Sequence, residues 1–184
     1  MKQEADAVVR ATRNWLERAV IGLNLCPFAK AVHVKNQVHY AVSDATDPAQ
    51  LLVELAGEVD ALLALDAAVR ETTLLIAPDC LDDFLDFNDF LAQAQSLIRK
   101  RGLEGVIQLA SFHPAYQFAG TDAADVTNCT NRSPYPTLHL LRETSIERAV
   151  QAFPQAEAIY EANMDRLRRL GSEGWAALDV GPAA

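Results

Sequence analysis

Val106-Ile107-Gln108-Leu109-Ala110-Ser111-Phe112 is an apolar run that stops at His113-Pro114. It reads as a strand, nearly apolar on both faces, which predicts a central place in a sheet. After His113 the chain turns polar up to Glu143. This stretch holds Asn128-Cys129-Thr130-Asn131-Arg132-Ser133-Pro134-Tyr135-Pro136, and then Thr137-Leu138-His139-Leu140-Leu141-Arg142. The last six residues are ambiguous. As a helix beginning near Pro136, they put His139 and Arg142 on one face; as a strand, on opposite faces. The leucines, with Thr137 the only β-branched residue, tilt the reading to helix.

Upstream, residues 4–22 carry a helical stripe of Val8, Trp15, Ala19 and Leu23, widened by Leu16 and Val20. Pro27 ends it, leaving the turn Asn24-Leu25-Cys26-Pro27-Phe28. Residues 32–42 alternate, with Val32, Val34, Val38, Tyr40 and Val42 on one face, and read as one long strand that shows His33 and His39 to solvent. Asp47-Pro48-Ala49-Gln50 is a helix start with Asp47 as cap, and Leu51, Leu55, Val59 and Leu62 follow as its buried stripe. Residues 72–77 form a short apolar strand. A helix over about 82–101 has acids early and bases late, as the helix dipole favours, with Gly102 as its stop. Thr144-Ser145-Ile146-Glu147 reads as a capping box. Pro154 opens the last helix, with Ile159, Asn163, Leu167 and Leu170 in line and Gly171 at its end. Strands alternating with helices predict an α/β fold: one globular domain over residues 1–184, with a small, mainly parallel sheet of three to four strands covered by helices.

Composition narrows the function classes. The 184 residues are 50% hydrophobic and carry a net charge of -9, with a pI near 4.8. An acidic surface repels phosphate backbones and anionic membranes, so neither nucleic acid nor membrane is expected as a partner. No apolar run approaches the roughly 20 residues that span a bilayer. The N-terminus has no signal-peptide layout, and the cysteines, Cys26, Cys80 and Cys129, are odd in number. Reduced thiols in a cytoplasmic protein are expected. Nothing in the sequence indicates a cofactor or an oligomeric state.

The chemistry-bearing side chains concentrate after the 106–112 strand. Ligands of open α/β sheets bind beyond the carboxyl ends of strands, and His113 stands at one. Its imidazole suits an acid, base or ligand role; the alternative is a residue that caps the strand end. Asn131-Arg132-Ser133 reads as an anion pocket, since arginine offers a rigid fork to carboxylate or phosphate. The alternative is a self-stabilised loop. Arg142 has the same two readings. Cys26 follows a helix C-terminus, the wrong end for lowering a thiol pKa, and reads as a pocket-lining or inert buried thiol. Cys26, His113, Cys129 and His139 lack standard zinc spacing, so no metal is expected. No glycine-rich phosphate loop and no Gly-x-Ser-x-Gly elbow occurs.

Three strings, Asn24-Leu25-Cys26-Pro27-Phe28-Ala29, Phe112-His113-Pro114 and Asn131-Arg132-Ser133-Pro134-Tyr135-Pro136 through His139-Leu140-Leu141-Arg142-Glu143, resemble a bacterial family of about this length known as a domain of unknown function. The resemblance covers nearly the whole chain and is most specific in the third string. It implies that these segments are the family's hallmarks and leaves the reaction open. The expectation is an enzyme acting on a small anionic metabolite. Arg132 and Arg142 would hold the anion, Asn131 and Ser133 would orient it, Cys26 would line the pocket, and His113 and His139 would move protons. The alternative is a non-catalytic binding or sensor module using the same pocket. On either reading, the Asn24–Ala29 turn, His113 and the 131–142 segment should meet around one pocket.

Overall fold

The computed structural model describes residues 2–152 and 158–183. Four strands, β1 Val38–Val42, β2 Thr72–Ile76, β3 Ile107–Phe112 and β4 Thr137–Arg142, form one sheet in the order β1-β2-β4-β3. The α/β class is as expected, but the sheet is mixed. β1 and β2 are parallel; β4 is antiparallel to both β2 and β3.

Residues 137–142 are the cause. They are a strand, not the expected helix, and they insert between β2 and β3. Leu138 and Leu140 point to one face of the sheet, and Thr137, His139 and Leu141 to the other. Two flanking strands satisfy the backbone of β4, and this outweighs the mild helix preference of its leucines. The insertion also moves β3 from the centre to an edge. The loop that follows β3 covers that edge: Asn131 Nδ2 donates to the carbonyl of Ser111 at 3.2 Å.

The expected strand over 32–42 is also corrected. Ala29–Val34 is a short helix, α2, and Asn36 ends it with a left-handed φ of 56°. The period-two pattern therefore runs across a turn. His33 sits on α2 and meets Glu17 at 3.1 Å, while His39 is on β1, so the two share no strand face.

Helices cover both faces. α3 Pro48–Ala64 and α4 Phe84–Lys100 bury Leu51, Leu55, Val59, Leu62, Phe87, Phe90 and Ile98 against Leu75, Leu138 and Leu140. On the other face, α1 Lys2–Trp15 runs into a π-helical segment, Leu16–Ile21. Together they pack Val8, Trp15, Leu16 and Val20 on Leu74 and Ile76. The wider π turn lets Trp15, Leu16, Ala19 and Val20 all face inward.

The helix start expected at Asp47 forms. Asp47 and Asp83 cap α3 and α4, each accepting two backbone N–H bonds. Asp47→Ala should lower stability by about 1 kcal/mol. A urea midpoint equal to that of the parent chain would argue against the cap. The Thr144 capping box does not form, because α5, Glu143–Ala152, starts one residue earlier, directly from β4. Pro154 lies outside the described residues. In α6, Ala158–Ala176, Gly171 breaks the helix at φ 70°, and a further helical stretch follows to Ala176.

Candidate functional site

The carboxyl end of β3 leads into the loop that the sequence singles out. Asn128 and Arg132 organise it. Asn128 is fully buried; its Oδ1 accepts from Phe118 N and Thr121 Oγ1, and its Nδ2 donates to the carbonyl of Asp122. Asp125 caps a 3₁₀ helix, Val126–Asn131, by accepting from Thr127 N at 2.9 Å. Arg132 then reaches back over the loop, donating from Nε to the carbonyl of Tyr116 at 3.2 Å and from Nη2 to that of Ala123 at 2.7 Å. Carbonyl oxygens accept hydrogen bonds without neutralising the charge. Among the described residues no carboxylate forms an ion pair with Arg132.

Arg132 lines a cleft of about 320 Å³ together with Ser133, Pro114, Pro134 and a later part of the chain: Trp175, Ala176 and residues 179–182. That later wall is tied down. Asn14 Nδ2 donates to the carbonyl of Asp179 at 2.8 Å and Arg18 Nη1 to that of Leu178 at 3.0 Å. Ala183 N donates to the Tyr135 hydroxyl at 2.8 Å, and Val180 is buried against the α1 side of the core. Ser133 is buried, and its hydroxyl donates to the carbonyl of Tyr135 at 2.6 Å. Asn131 braces β3 through its side chain and accepts the His113 N–H on its carbonyl at 3.1 Å.

His113 stands next to this cleft but does not line it. It is fully buried, with its ring against Phe84 and Phe87 of α4 at 5.4 and 5.0 Å. Ala115 N donates to Nδ1 at 3.0 Å, so Nδ1 carries the lone pair and Nε2–H donates to the carbonyl of Leu81, also at 3.0 Å. Burial is the largest influence on this ring and pushes its pKa below the usual histidine value. The Leu81 carbonyl comes from a residue with a left-handed φ of 62°, a conformation that non-glycine residues adopt rarely. His113 thus joins the end of β3 to the β2–α4 loop, with both nitrogens occupied.

His139 lies across the sheet, on the α1 face, 6.1 Å from Phe112 ring to ring. Thr72 donates its hydroxyl proton to the carbonyl of Leu140 at 2.6 Å, so the Thr72 oxygen can only accept from His139 Nε2–H, 2.7 Å away. Burial pushes the His139 pKa down to about 4, so the ring is neutral near pH 7. Arg142 is at the opposite end of the sheet from His113, paired with Ile107. Its guanidinium donates to the carbonyls of Leu62, Leu65 and Arg70, where it closes the C-terminus of α3. Cys26 packs at the α1-side core; burial raises its thiol pKa against the opposing pull of the Phe28 and Ala29 N–H groups. The expected convergence on one pocket therefore does not occur. Arg132 and Ser133 line the cleft, Asn131 and His113 shape the loop behind it, and Cys26, His139 and Arg142 lie elsewhere.

Sequence reading missed Trp175 and residues 179–182, because nothing local to that stretch signals a role in a pocket some forty residues upstream. It also missed Glu58 and Arg70, which pair beside His39 at the β1 edge. Among the described residues no group of three or more His, Cys, Asp or Glu side chains could hold a metal ion, and no helix is long and apolar enough to cross a membrane.

Residues 7–177 match the family model described as "Protein of unknown function (DUF1415)", and the chain belongs to that family. No curated protein and no solved structure matches it. The matched span stops at residue 177, before residues 179–182 of the cleft wall.

Proposed function

We propose that this chain is a bacterial, cytoplasmic small-molecule binding protein whose ligand carries an anionic group held by Arg132. One observation carries the reading. Arg132, whose guanidinium is held by the carbonyls of Tyr116 and Ala123 and by the Cys129 side chain and meets no carboxylate in an ion pair among the described residues, lines a 320 Å³ cleft. That volume lies at the lower end of the range of small-ligand sites. The carbonyls set the guanidinium plane and leave its charge for a ligand, and arginine offers five donors in a fixed fork. Anchoring on both cleft walls holds the site in shape before a ligand arrives, which limits the ordering cost of binding.

Binding is favoured over His-mediated catalysis by the state of the two histidines. A general base works best with a pKa near the operating pH and needs a nitrogen within reach of the substrate. His113 has both nitrogens on backbone groups, and His139 is on the α1 face with a pKa near 4.

The test compares melting midpoints of the parent chain, Arg132→Lys and Arg132→Ala across a set of small organic and inorganic anions. The parent should be stabilised by at least one of them. Arg132→Ala should abolish that response and Arg132→Lys should weaken it, since charge-assisted hydrogen bonds are worth about 1.5–3 kcal/mol. An unchanged anion response in Arg132→Ala, with a several-degree fall in its midpoint, would make Arg132 a loop brace and overturn the proposal.

A further inference from the structure

Apart from Arg132, most of the cleft lining offers little to a bare anion. Pro114, Pro134 and Pro182 have no backbone N–H to offer, and Val180, Ala176 and Trp175 add apolar surface. The Ser133 hydroxyl proton is already committed to the carbonyl of Tyr135. Asp179 also belongs to the lining, but its side chain is 94% exposed, and its carboxylate lies 4.0 Å from the Arg18 guanidinium. A strongly hydrated inorganic anion would give up water against proline rings and gain one guanidinium in return. An anion attached to a flat apolar body would meet both parts of the site: its charge at Arg132, its body against Trp175 and the prolines.

Size points the same way. A volume of 320 Å³ lies at the small end of the range of small-ligand pockets, about 300–1,000 Å³. A carboxylate carried on a single aromatic ring is a small ligand suited to a pocket at that end of the range. Aromatic faces prefer offset or edge-on contact with other rings, which the Trp175 indole can supply.

We infer that the Arg132 cleft takes a monoaromatic carboxylate, with the carboxylate on Arg132 and the ring against Trp175. The inference rests on the anion-binding reading above and adds the apolar half of the ligand.

The probes are phenylacetate, acetate, inorganic phosphate and benzyl alcohol, measured by calorimetric titration and by the melting midpoint of the full chain. Phenylacetate should bind at least about tenfold more tightly than acetate or phosphate, the gain expected from removing one ring face from water. Benzyl alcohol, which has the ring and no charge, should bind at least about tenfold more weakly than phenylacetate. Arg132→Gln and Trp175→Leu should each remove about tenfold or more of phenylacetate affinity. Trp175 also packs on the α1-side core, so Trp175→Leu could unfold the chain. The ligand series on the parent protein decides the question without that variant.

Acetate and phosphate binding as tightly as phenylacetate, and lost in Arg132→Gln, would overturn this inference while leaving the anion reading intact. Benzyl alcohol binding as tightly as phenylacetate, with Arg132→Gln harmless, would overturn the anion reading itself. No binding by any of the four would overturn both.

Discussion

His113→Ala is expected to remove about 3–5 kcal/mol of folding stability, a large share of the 5–15 kcal/mol typical of a domain. Three losses combine. The ring leaves a hole against Phe84 and Phe87 in a region with no solvent access. The Leu81 carbonyl and the Ala115 N–H lose their partners. The left-handed backbone of Leu81 loses the bond that helps hold it. His113→Gln, whose amide can both donate and accept, should recover part of the loss. Urea denaturation of the three proteins measures this directly. A loss below about 1 kcal/mol in His113→Ala would remove the structural account of this residue and return it to the list of catalytic candidates.

Acid should act through His139. In the unfolded chain its pKa is near 6.5; in the fold, burial holds it near 4. A histidine with a depressed folded pKa contributes stability that is fully present above the unfolded value and is lost as pH falls towards the folded one. The window is therefore pH 6.5 down to 4, and the full loss is about 3 kcal/mol for a shift of this size. His39 and His113 are also shifted down by burial and act in the same direction. His139→Leu isolates the contribution, since Thr72 keeps its bond to the carbonyl of Leu140. Stability of the variant should fall less steeply across this window than that of the parent. Parallel curves of stability against pH would show that His139 does not titrate with folding.

Both effects come from residues that the sequence marks as chemical, and the fold gives them structural surroundings. Histidine next to a strand end is a fair sign of a site in an α/β protein. Whether it acts depends on what closes over the ring, and Phe84 and Phe87 lie more than twenty residues upstream of it. Arg142 is similar. Glu143 beside it is the partner that sequence reading offers, whereas its guanidinium bonds to carbonyls at the end of α3, more than seventy residues away.

Local interactions were legible in the sequence alone. The cap at Asp47, the buried stripe Leu51, Leu55, Val59 and Leu62, the short β2 strand and the break at Gly171 depend on neighbours within a few residues. So did the choice of Arg132 and Ser133 as residues of a polar loop at the end of a strand. The tertiary structure alone decided the place of Thr137–Arg142. Six leucine-rich residues suit a helix or a strand about equally, and β2 and β3, with open backbone groups on both sides, settled the matter. That one insertion made the sheet mixed, put β3 at its edge, and sent His139 to the α1 face, away from His113. It decided the cleft too: Arg132 became a candidate anchor when Trp175 and residues 179–182, distant in sequence, packed opposite it. Periodicity and capping are short-range and can be read along the chain, but a pocket joins segments that only long-range packing brings together.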